Sequence, residues 1–261
     1  MPVNHMQTNC MAVLYQLEAI RKHVPHCRYY NAGSSEEFGD VICEPQCEEH
    51  PLRPRSPYGA SKCAARHLVK VYRDSYDLYA IQGWLFNHEG TRRGEEFVTR
   101  KITQNVARIA DEYAHEEPFK PLKLGNVSAK RDWSDAEDFV DGIWRMLNQE
   151  EYWTHVWQKA PDDYVLSSNE THSIKEFVEE AFNFAGFHRN KCRWEGSDKD
   201  TKYYHEEDLL MEVDPQFYRP AEVDLLWGDS DRARRELGWE PKTNFLQLVN
   251  KMVKYDMDLL T

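Results

Sequence analysis

Two β-rich segments separated by a helical segment limit the folds open to this chain. Residues 27–32 (CRYYNA) favour a strand that ends at Gly33 and leads into a loop. Residues 57–76 are helical with Pro57 in the first turn, and residues 79–86 (YAIQGWLF) predict a second strand. Strands that alternate with helices are typical of an α/β fold built on a parallel sheet, which places ligands at the carboxyl ends of its strands.

The same patterns predict further elements along the chain. Apolar spacing indicates helices over 7–23, 97–114 and 244–258, and residues 163–166 predict a strand. Ser134 with Glu137, and Ser173 with Glu176, have capping-box spacing, so each pair predicts a helix start. Residues 188–215 are dense in charge and hold few apolar anchors, from which we expect a mobile loop.

Tyr58 and Lys62 lie four residues apart at the predicted start of a helix, so both side chains project from one face. A lysine ammonium beside a tyrosine favours the phenolate. Tyr58 would then be a general base for a sugar hydroxyl, and Lys62 could also hold a cofactor ribose. Pairs of this kind are common on helix surfaces, so a half-buried aromatic with a solvated lysine is the structural alternative.

Several longer blocks resemble the GDP-mannose 4,6-dehydratase family, which is a branch of the extended short-chain dehydrogenases/reductases. They are 32–39 (AGSSEEFG), 56–62 (SPYGASK), 85–102 (LFNHEGTRRGEEFVTRKI), 124–133 (LGNVSAKRDW) with Ala136, Asp138 and Val140, and 218–224 (YRPAEVD) with Gly228-Asp229 and 237–241 (LGWEP). Their order and spacing match the family from about residue 8 to the end. The resemblance implies a truncated Rossmann-type parallel sheet with a smaller, mostly helical substrate domain.

The family resemblance also implies a domain division. Residues 1–95 would be the remnant of the dinucleotide-binding domain, with interleaved pieces near 130–167. Residues 96–261 would be mainly the nucleotide-sugar substrate domain.

The resemblance further implies a reaction and the residues that carry it. A 4,6-dehydratase oxidises C4 of the hexose, removes water across C5–C6 and returns a hydride to C6. At matching positions Tyr58 is the base for the 4-hydroxyl and Lys62 tunes it, while Glu36 takes the C5 proton. Ser34 stands where the family has a threonine that hydrogen-bonds the C4 oxygen.

Two neighbours of these residues, Gly33 and Glu37, depart from the family pattern. A purely structural role is the alternative for this segment, in which Ser34, Ser35 and Glu36 only cap the turn after the strand.

Ligand-binding residues are also implied by the resemblance. The substrate would contact Ser35, Asn87, Asn126, Lys130, Arg131, Arg219 and Glu222, and NADP would contact Tyr58, Lys62, His88 and Arg93. Arg131 is favoured for the diphosphate because a guanidinium binds it with two hydrogen bonds. Arg219 and Glu222 match positions near the guanosine, where a carboxylate can accept from guanine N1 and N2. The alternative for His88 is a buried histidine whose ring nitrogens are hydrogen-bonded within the protein. The alternative for the basic residues is a solvated surface position without a ligand.

The chain lacks the glycine-rich turn that carries the pyrophosphate in dinucleotide-binding domains. Neither Gly-x-x-Gly-x-x-Gly nor Gly-x-Gly-x-x-Gly occurs among its 12 glycines, and none lies in the first 32 residues. By resemblance the chain starts at the helix after the family's fourth strand, so about three βα units, on the order of a hundred residues, are absent. We therefore expect a truncated gene product or half of a split enzyme, with doubtful NADP binding.

A sheet without its first strands would expose an apolar edge and uncovered faces. This predicts a homo-oligomer or a complex with the missing N-terminal half.

Composition limits the partners. The net charge of −12 argues against nucleic acid and anionic membranes as partners, so a phosphate ligand needs a local basic pocket. The sequence has no apolar run of membrane-spanning length, and its start lacks the apolar core of a signal peptide, from which we expect a cytoplasmic protein.

The 6 cysteines show no framework spacing, which indicates free thiols. Cys43, Cys47 and His50 could be three zinc ligands, but no fourth ligand is evident, which favours an acidic surface loop with incidental thiols. We predict no metal.

Three functions remain open at this point. The first is an active NADP-dependent GDP-mannose 4,6-dehydratase completed by another chain. The second is a GDP-sugar-binding remnant without turnover. The third is a dehydratase or epimerase for another nucleotide hexose, which the intact blocks at 126–133 and 219–224 disfavour.

Overall fold

A computed structural model describes residues 1–149, 161–217 and 225–260. Its helices are α1 (Pro2–Met6), α2 (Ala12–His23), α3 (Pro57–Tyr76), α4 (Val98–Ala114), α5 (Ala136–Leu147), α6 (Ile174–Phe184), α7 (Asp231–Leu237) and α8 (Phe245–Asp258). Its strands are β1 (Tyr29–Ala32), β2 (Ala80–Leu85), β3 (Asn87–Glu89), β4 (Leu122–Leu124), β5 (Lys130–Arg131), β6 (Trp133–Asp135), β7 (Tyr164–Leu166), β8 (His172–Ser173), β9 (Cys192–Glu195), β10 (Lys202–His205), β11 (Asp208–Val213) and β12 (Leu225–Leu226). The helices and strands predicted over 57–86, 97–114, 163–166 and 244–258 are confirmed to within two residues.

The chain forms two compact units, each assembled from three separate segments. Unit 1 comprises Met1–His88, Ala136–Glu170 and Leu226–Lys242, and unit 2 comprises Glu89–Asp135, Thr171–Leu225 and Thr243–Thr261. The segment Leu226–Lys242 differs from the sequence-based division, which placed it with the substrate domain. It belongs to unit 1 because Trp239 is fully buried in that unit's core.

Unit 1 is built on a parallel sheet with strand order β1-β2-β7. Every residue of β2 is buried, as expected for a central strand covered on both faces. Its side chains alternate, so Ile81 and Leu85 pack with Phe139 of α5, whereas Ala80 packs with α2 and α3. The fold is therefore the doubly covered α/β type that the sequence predicts.

Unit 2 packs three helices against a mixed sheet with strand order β4-β11-β10-β9. Helices α4, α6 and α8 bury one continuous apolar cluster, which includes Ile102, Phe177 and Leu248. More residues of this unit are helical than extended, but the four-stranded sheet was not predicted.

The prediction of a mobile loop over 188–215 is wrong. This segment forms β9, β10 and β11, and Tyr203, Leu210 and Met211 are buried. Its apolar residues are few, but they alternate with charged residues. This alternation is sufficient for a strand that buries only one face. Glu206, at φ 51, lies in the connection between β10 and β11.

One of the two predicted capping boxes forms and the other does not. Ser173 accepts from the Glu176 N–H at 3.1 Å, and its own N–H donates to the Glu176 carboxylate at 2.6 Å. Ser134 instead lies in β6, and its buried hydroxyl has no hydrogen-bond partner. Helix α5 therefore begins one residue later than a cap at Ser134 would place it.

None of the helices in the described part of the chain is long and apolar enough to cross a membrane.

Candidate functional site

The start of α3 presents Tyr58 and Lys62 as the sequence predicts. The Ser56 hydroxyl caps this helix by accepting from the Gly59 N–H at 3.0 Å. The Lys62 ammonium donates to the Ala32 carbonyl at the carboxyl end of β1, at 3.0 Å, and lies 5.8 Å from the centroid of the Tyr58 ring. Burial lowers the pKa of Lys62, and the nearby Glu37 opposes this shift.

The segment that follows β1 forms a tight turn. Ser34 precedes a single 3-10 turn over Ser35–Glu37. The Ser34 hydroxyl accepts from the Glu36 N–H at 3.3 Å, and the Ser34 N–H donates to the Glu37 carboxylate at 2.9 Å. The capping alternative for Ser34 is thus present, and it fixes the position of the same hydroxyl that would bind substrate.

A glycine brings this turn and the start of α3 into contact. A Cβ at Gly59 would lie 2.6 Å from the Glu36 carbonyl oxygen, so only glycine allows the two backbones to approach this closely. Glu36 and Tyr58 therefore belong to segments in direct contact, and Lys62 is one helical turn further along. The predicted proton-transfer residues of unit 1 are gathered at the carboxyl end of β1.

Behind the turn lies a carboxylate that the sequence did not assign to the site. Glu37 is fully buried and accepts from Gln82 Nε2 at 2.9 and 3.0 Å and from Trp84 Nε1 at 3.1 Å. Burial raises the pKa of Glu37 to about 7, although the Ser34 hydrogen bond, the Arg66 charge and the Trp84 and Gln82 donors act in the opposite direction. The sequence contained a signal for a buried polar group here, because Gln82 and Trp84 lie on one face of an otherwise apolar strand.

The end of β2 supplies two further predicted residues. Asn87 follows this strand, and its buried Oδ1 has no hydrogen-bond partner. The His88 ring stacks on Phe139 at a centroid distance of 5.1 Å, and its Nδ1 lies 2.9 Å from the Phe86 carbonyl. That contact requires a proton on Nδ1. Because β1 and β2 are parallel neighbours, their carboxyl ends lie at the same edge of the sheet.

In unit 2, Arg93 is held by its own segment. Its Nε lies 3.1 Å from the buried Glu89 carboxylate, which also accepts from the Thr99 hydroxyl at 2.6 Å. The Arg93 guanidinium stacks on Phe97, with its carbon 3.5 Å from the ring centroid. Burial raises the pKa of Glu89, and Arg93 and Thr99 oppose the shift. These contacts orient Arg93, and its predicted role toward a cofactor stays a prediction.

The other basic and amide residues predicted for substrate also lie in unit 2. The Asn126 side chain accepts from the Ser128 N–H at 2.9 Å and so shapes its own turn. Lys130 and Arg131 form β5, where Lys130 is exposed and Arg131 is half-buried. Arg219 and Glu222 lie outside the described residues.

The zinc hypothesis loses one of its ligands. His50 Nε2 accepts from the Ile42 N–H at 3.1 Å, and its Nδ1 donates to the Pro51 carbonyl at 2.8 Å. A single tautomer satisfies both bonds, so neither ring nitrogen is available for a metal. Across the described ranges, no three His, Cys, Asp or Glu side chains are grouped as metal ligands.

Comparison with known proteins decides the family. The family model described as GDP-mannose 4,6 dehydratase matches residues 1–252. This chain belongs to the GDP-mannose 4,6-dehydratase family. It is 40% identical over 258 residues to the GDP-mannose 4,6 dehydratase of Drosophila melanogaster and 44% identical over 247 residues to GDP-mannose 4,6 dehydratase 1 of Arabidopsis thaliana. These alignments cover 97% and 93% of this chain, but only 61% and 59% of the relatives.

This chain therefore spans about three fifths of the length of those relatives. Solved structures agree on the fold. A Pseudomonas aeruginosa RMD complexed with NADPH superimposes with a TM-score of 0.77 at 21% identity, covering 98% of this chain and 75% of that one. A Thermotoga maritima UDP-glucose 4-epimerase with UDP-glucose gives 0.77 at 18% identity, with 100% and 73% covered.

Proposed function

We propose that this chain supplies the proton-transfer residues of a GDP-mannose 4,6-dehydratase, which forms GDP-4-keto-6-deoxymannose. The observation that supports this best is the contact between the turn holding Glu36 and the start of α3 holding Tyr58, made through Gly59. Because the chain spans about three fifths of its relatives, the proposal concerns the residues that it contains.

Two of the proton transfers are assigned to residues of unit 1. Tyr58 takes the proton of the 4-hydroxyl, and the Lys62 ammonium stabilises the phenolate. The Ser34 hydroxyl, fixed by the Glu36 N–H, hydrogen-bonds the C4 oxygen. A ketone at C4 acidifies the neighbouring C5–H, so the Glu36 carboxylate can remove that proton, and the 6-hydroxyl takes up a proton as it leaves C6 as water.

The described residues fit one end of a nicotinamide dinucleotide. Tyr58 and Lys62 stand at the carboxyl end of β1, where a nicotinamide ribose would lie, and His88 follows the neighbouring strand β2. Arg93 is assigned to the cofactor by the family resemblance alone. The glycine-rich turn that would carry the pyrophosphate end does not occur among the residues of this sequence. When bound, NADP would accept the hydride from C4 and return it to C6.

Single-turnover kinetics with GDP-mannose and NADP test the assignment. Tyr58→Phe should reduce formation of NADPH absorbance by at least about 10³-fold, since no other base is assigned to the 4-hydroxyl. The control is Tyr76→Phe, which changes an exposed tyrosine of the same helix. Glu36→Gln should permit the first hydride transfer but block water loss, as seen by product analysis. Equal rates in wild type and Tyr58→Phe, including no turnover in both, would contradict the dehydratase function.

A GDP-sugar-binding protein without turnover is the second candidate. It is favoured by the buried Asn87 Oδ1, which lies directly after β2 near the sheet edge and has no hydrogen-bond partner among the described residues. Calorimetric titration separates the candidates, because this function requires GDP-mannose to bind the isolated chain more tightly than NADP does. Tight NADP binding without a response to GDP-mannose would rule it out.

We also propose that the chain associates with a second copy or with a chain that completes the sheet. Among the described strands, β1 pairs with β2 alone and is therefore an edge. On α5, Val140 and Trp144 are 64% and 65% exposed on adjacent turns. Sedimentation should reveal a dimer or larger species at micromolar concentration, and a stable monomer throughout that range would contradict the proposal.

A further inference from the structure

Glu37 is the feature of unit 1 that the proposed chemistry leaves unused. Its side chain is fully buried directly behind the turn that carries Ser34 and Glu36. Three groups donate to its carboxylate: the Ser34 N–H, the Gln82 amide and the Trp84 indole. Ser34 lies in the turn after β1, whereas Gln82 and Trp84 both lie in β2. The carboxylate therefore ties the turn to the centre of the sheet.

The orientation of the Gln82 amide is fixed by a second bond. Asn31 Nδ2 donates to Gln82 Oε1 at 2.6 Å, which leaves Gln82 Nε2 directed at Glu37. A Cβ at Gly33 would lie 2.6 Å from that same Nε2 atom, so a side chain at this position would displace the amide. The two residues that depart from the family pattern are thus linked, because Gly33 leaves the space that the hydrogen bond from Gln82 to Glu37 requires.

The three groups that bond to Glu37 donate through N–H and cannot accept. A protonated carboxyl would have to direct its own O–H at one of these donors and lose that bond, so the hydrogen bonds fit the ionised form. Charged and titratable neighbours face the carboxylate from two elements: Tyr30 on β1, and Lys62, Cys63 and Arg66 on α3. The Glu37 charge also favours the protonated ammonium of Lys62.

We propose that Glu37 is a positioning residue, whose carboxylate holds the Ser34 backbone and so fixes the Ser34 hydroxyl and Glu36 for proton transfer. The ionised carboxylate also maintains the charge on Lys62 beside Tyr58. This role rests on the proposed dehydratase function, but the geometry that it requires can be measured without turnover.

Amide hydrogen exchange at Ser34 tests the geometry in the full chain. Glu37→Leu removes the acceptor, so the Ser34 N–H should exchange at least about tenfold faster. Trp84→Phe deletes a donor on the other carboxylate oxygen and should leave Ser34 exchange near the wild-type rate. Glu48→Gln is the matched control, because the Glu48 carboxylate also accepts a backbone N–H, from Val165 at 2.8 Å. Unchanged Ser34 exchange in Glu37→Leu would overturn the proposal.

The Trp84 indole N–H reports the charge on Glu37. Its NMR chemical shift should change in one step near neutral pH in the wild type and stay constant in Glu37→Gln. Glutamine keeps the shape of the glutamate side chain, so this variant is usable even where Glu37→Leu does not fold. A Trp84 resonance that titrates identically in Glu37→Gln would count against the network.

Kinetics distinguish positioning from a purely structural role. Glu37→Gln should lower kcat about 10- to 100-fold with KM changed less than about twofold, and should shift the acid limb of the kcat profile. A melting temperature that falls while kcat stays at the wild-type value would overturn the proposal. If the wild type shows no turnover, the dehydratase function fails, while Ser34 exchange still decides whether Glu37 sets the turn.

Discussion

Each unit buries an arginine–aspartate pair, and the two pairs differ in how many other partners they have. In unit 1, Arg73 binds Asp163 through two bonds of 2.7 and 3.2 Å, and the guanidinium also donates to the Ala80 carbonyl. The Asp163 carboxylate additionally accepts from the Gln82 N–H at 2.9 Å. The pair therefore ties α3 to the central strand of the sheet.

In unit 2, Arg100 of α4 lies 2.8 Å from Asp256 of α8 through a single nitrogen. Its Nε and Nη1 are buried without a hydrogen-bond partner. Burial raises the pKa of Asp256, and Thr103 and Arg100 only oppose that shift. A buried ion pair stabilises a fold when additional hydrogen bonds satisfy its remaining donors and acceptors, which only the unit 1 pair achieves.

The largest effect on stability should come from breaking the pair in unit 1. Asp163→Asn removes the buried counter-charge of Arg73, which then keeps only the half-exposed Asp74 at 3.8 Å, so the free energy of unfolding should fall by about 3–5 kcal/mol. Denaturant titration measures it. The control Asp40→Asn removes the exposed partner of Arg55 and should change stability by less than about 1 kcal/mol. A similar small change for Asp163→Asn would show that the extra bonds contribute nothing.

Glu37 extends the comparison to a buried carboxylate with uncharged donors. Its folded pKa of about 7 exceeds the ordinary value of 4.5, so the folded state binds more protons than the unfolded state between these values. Stability from this group is full below pH 4.5 and is lost as pH rises through about 7. Wild type should lose about 3 kcal/mol more than Glu37→Gln over that range. Parallel pH dependences in denaturant titrations would contradict the shift.

Replacing whole pairs sharpens the contrast between the units. Arg100→Met with Asp256→Leu should leave the free energy of unfolding unchanged or raise it by about 1 kcal/mol, because it removes unsatisfied buried groups. The same double replacement at Arg73 and Asp163 should lower it by about 1–3 kcal/mol, since the Ala80 carbonyl and the Gln82 N–H lose their partners. Denaturant titration measures both changes in the free energy of unfolding. Equal changes in the two double variants would contradict the proposed difference between the two ion pairs.

The smallest expected effects come from the two serines with capping-box spacing. Ser173→Ala should lower stability by about 1 kcal/mol, because it leaves the Glu176 N–H without its acceptor. Ser134→Ala should be neutral or slightly stabilising, because the Ser134 hydroxyl is buried without a partner. Thermal unfolding of the two variants checks this, and a larger loss for Ser134→Ala would refute it.

Local sequence was sufficient for the elements whose pattern is strong. The β-α-β arrangement over 27–86, the amphipathic helix beginning near residue 97 and the Ser173 cap follow from apolar spacing and capping chemistry, which act over a few residues. The pairing of Tyr58 with Lys62 also follows, since helical geometry alone puts both on one face.

Contacts between distant segments required the tertiary structure. Ser134 has the sequence of a cap but lies in a strand, and the charged segment after residue 188 forms strands because its sparse apolar residues pack on helices of unit 2. The carboxylate of Glu37 meets Gln82 and Trp84 about 45 residues away, and Gly59 meets Glu36 across the loop between them. Burial and hydrogen-bond satisfaction depend on what packs from elsewhere in the chain, and no local pattern records it.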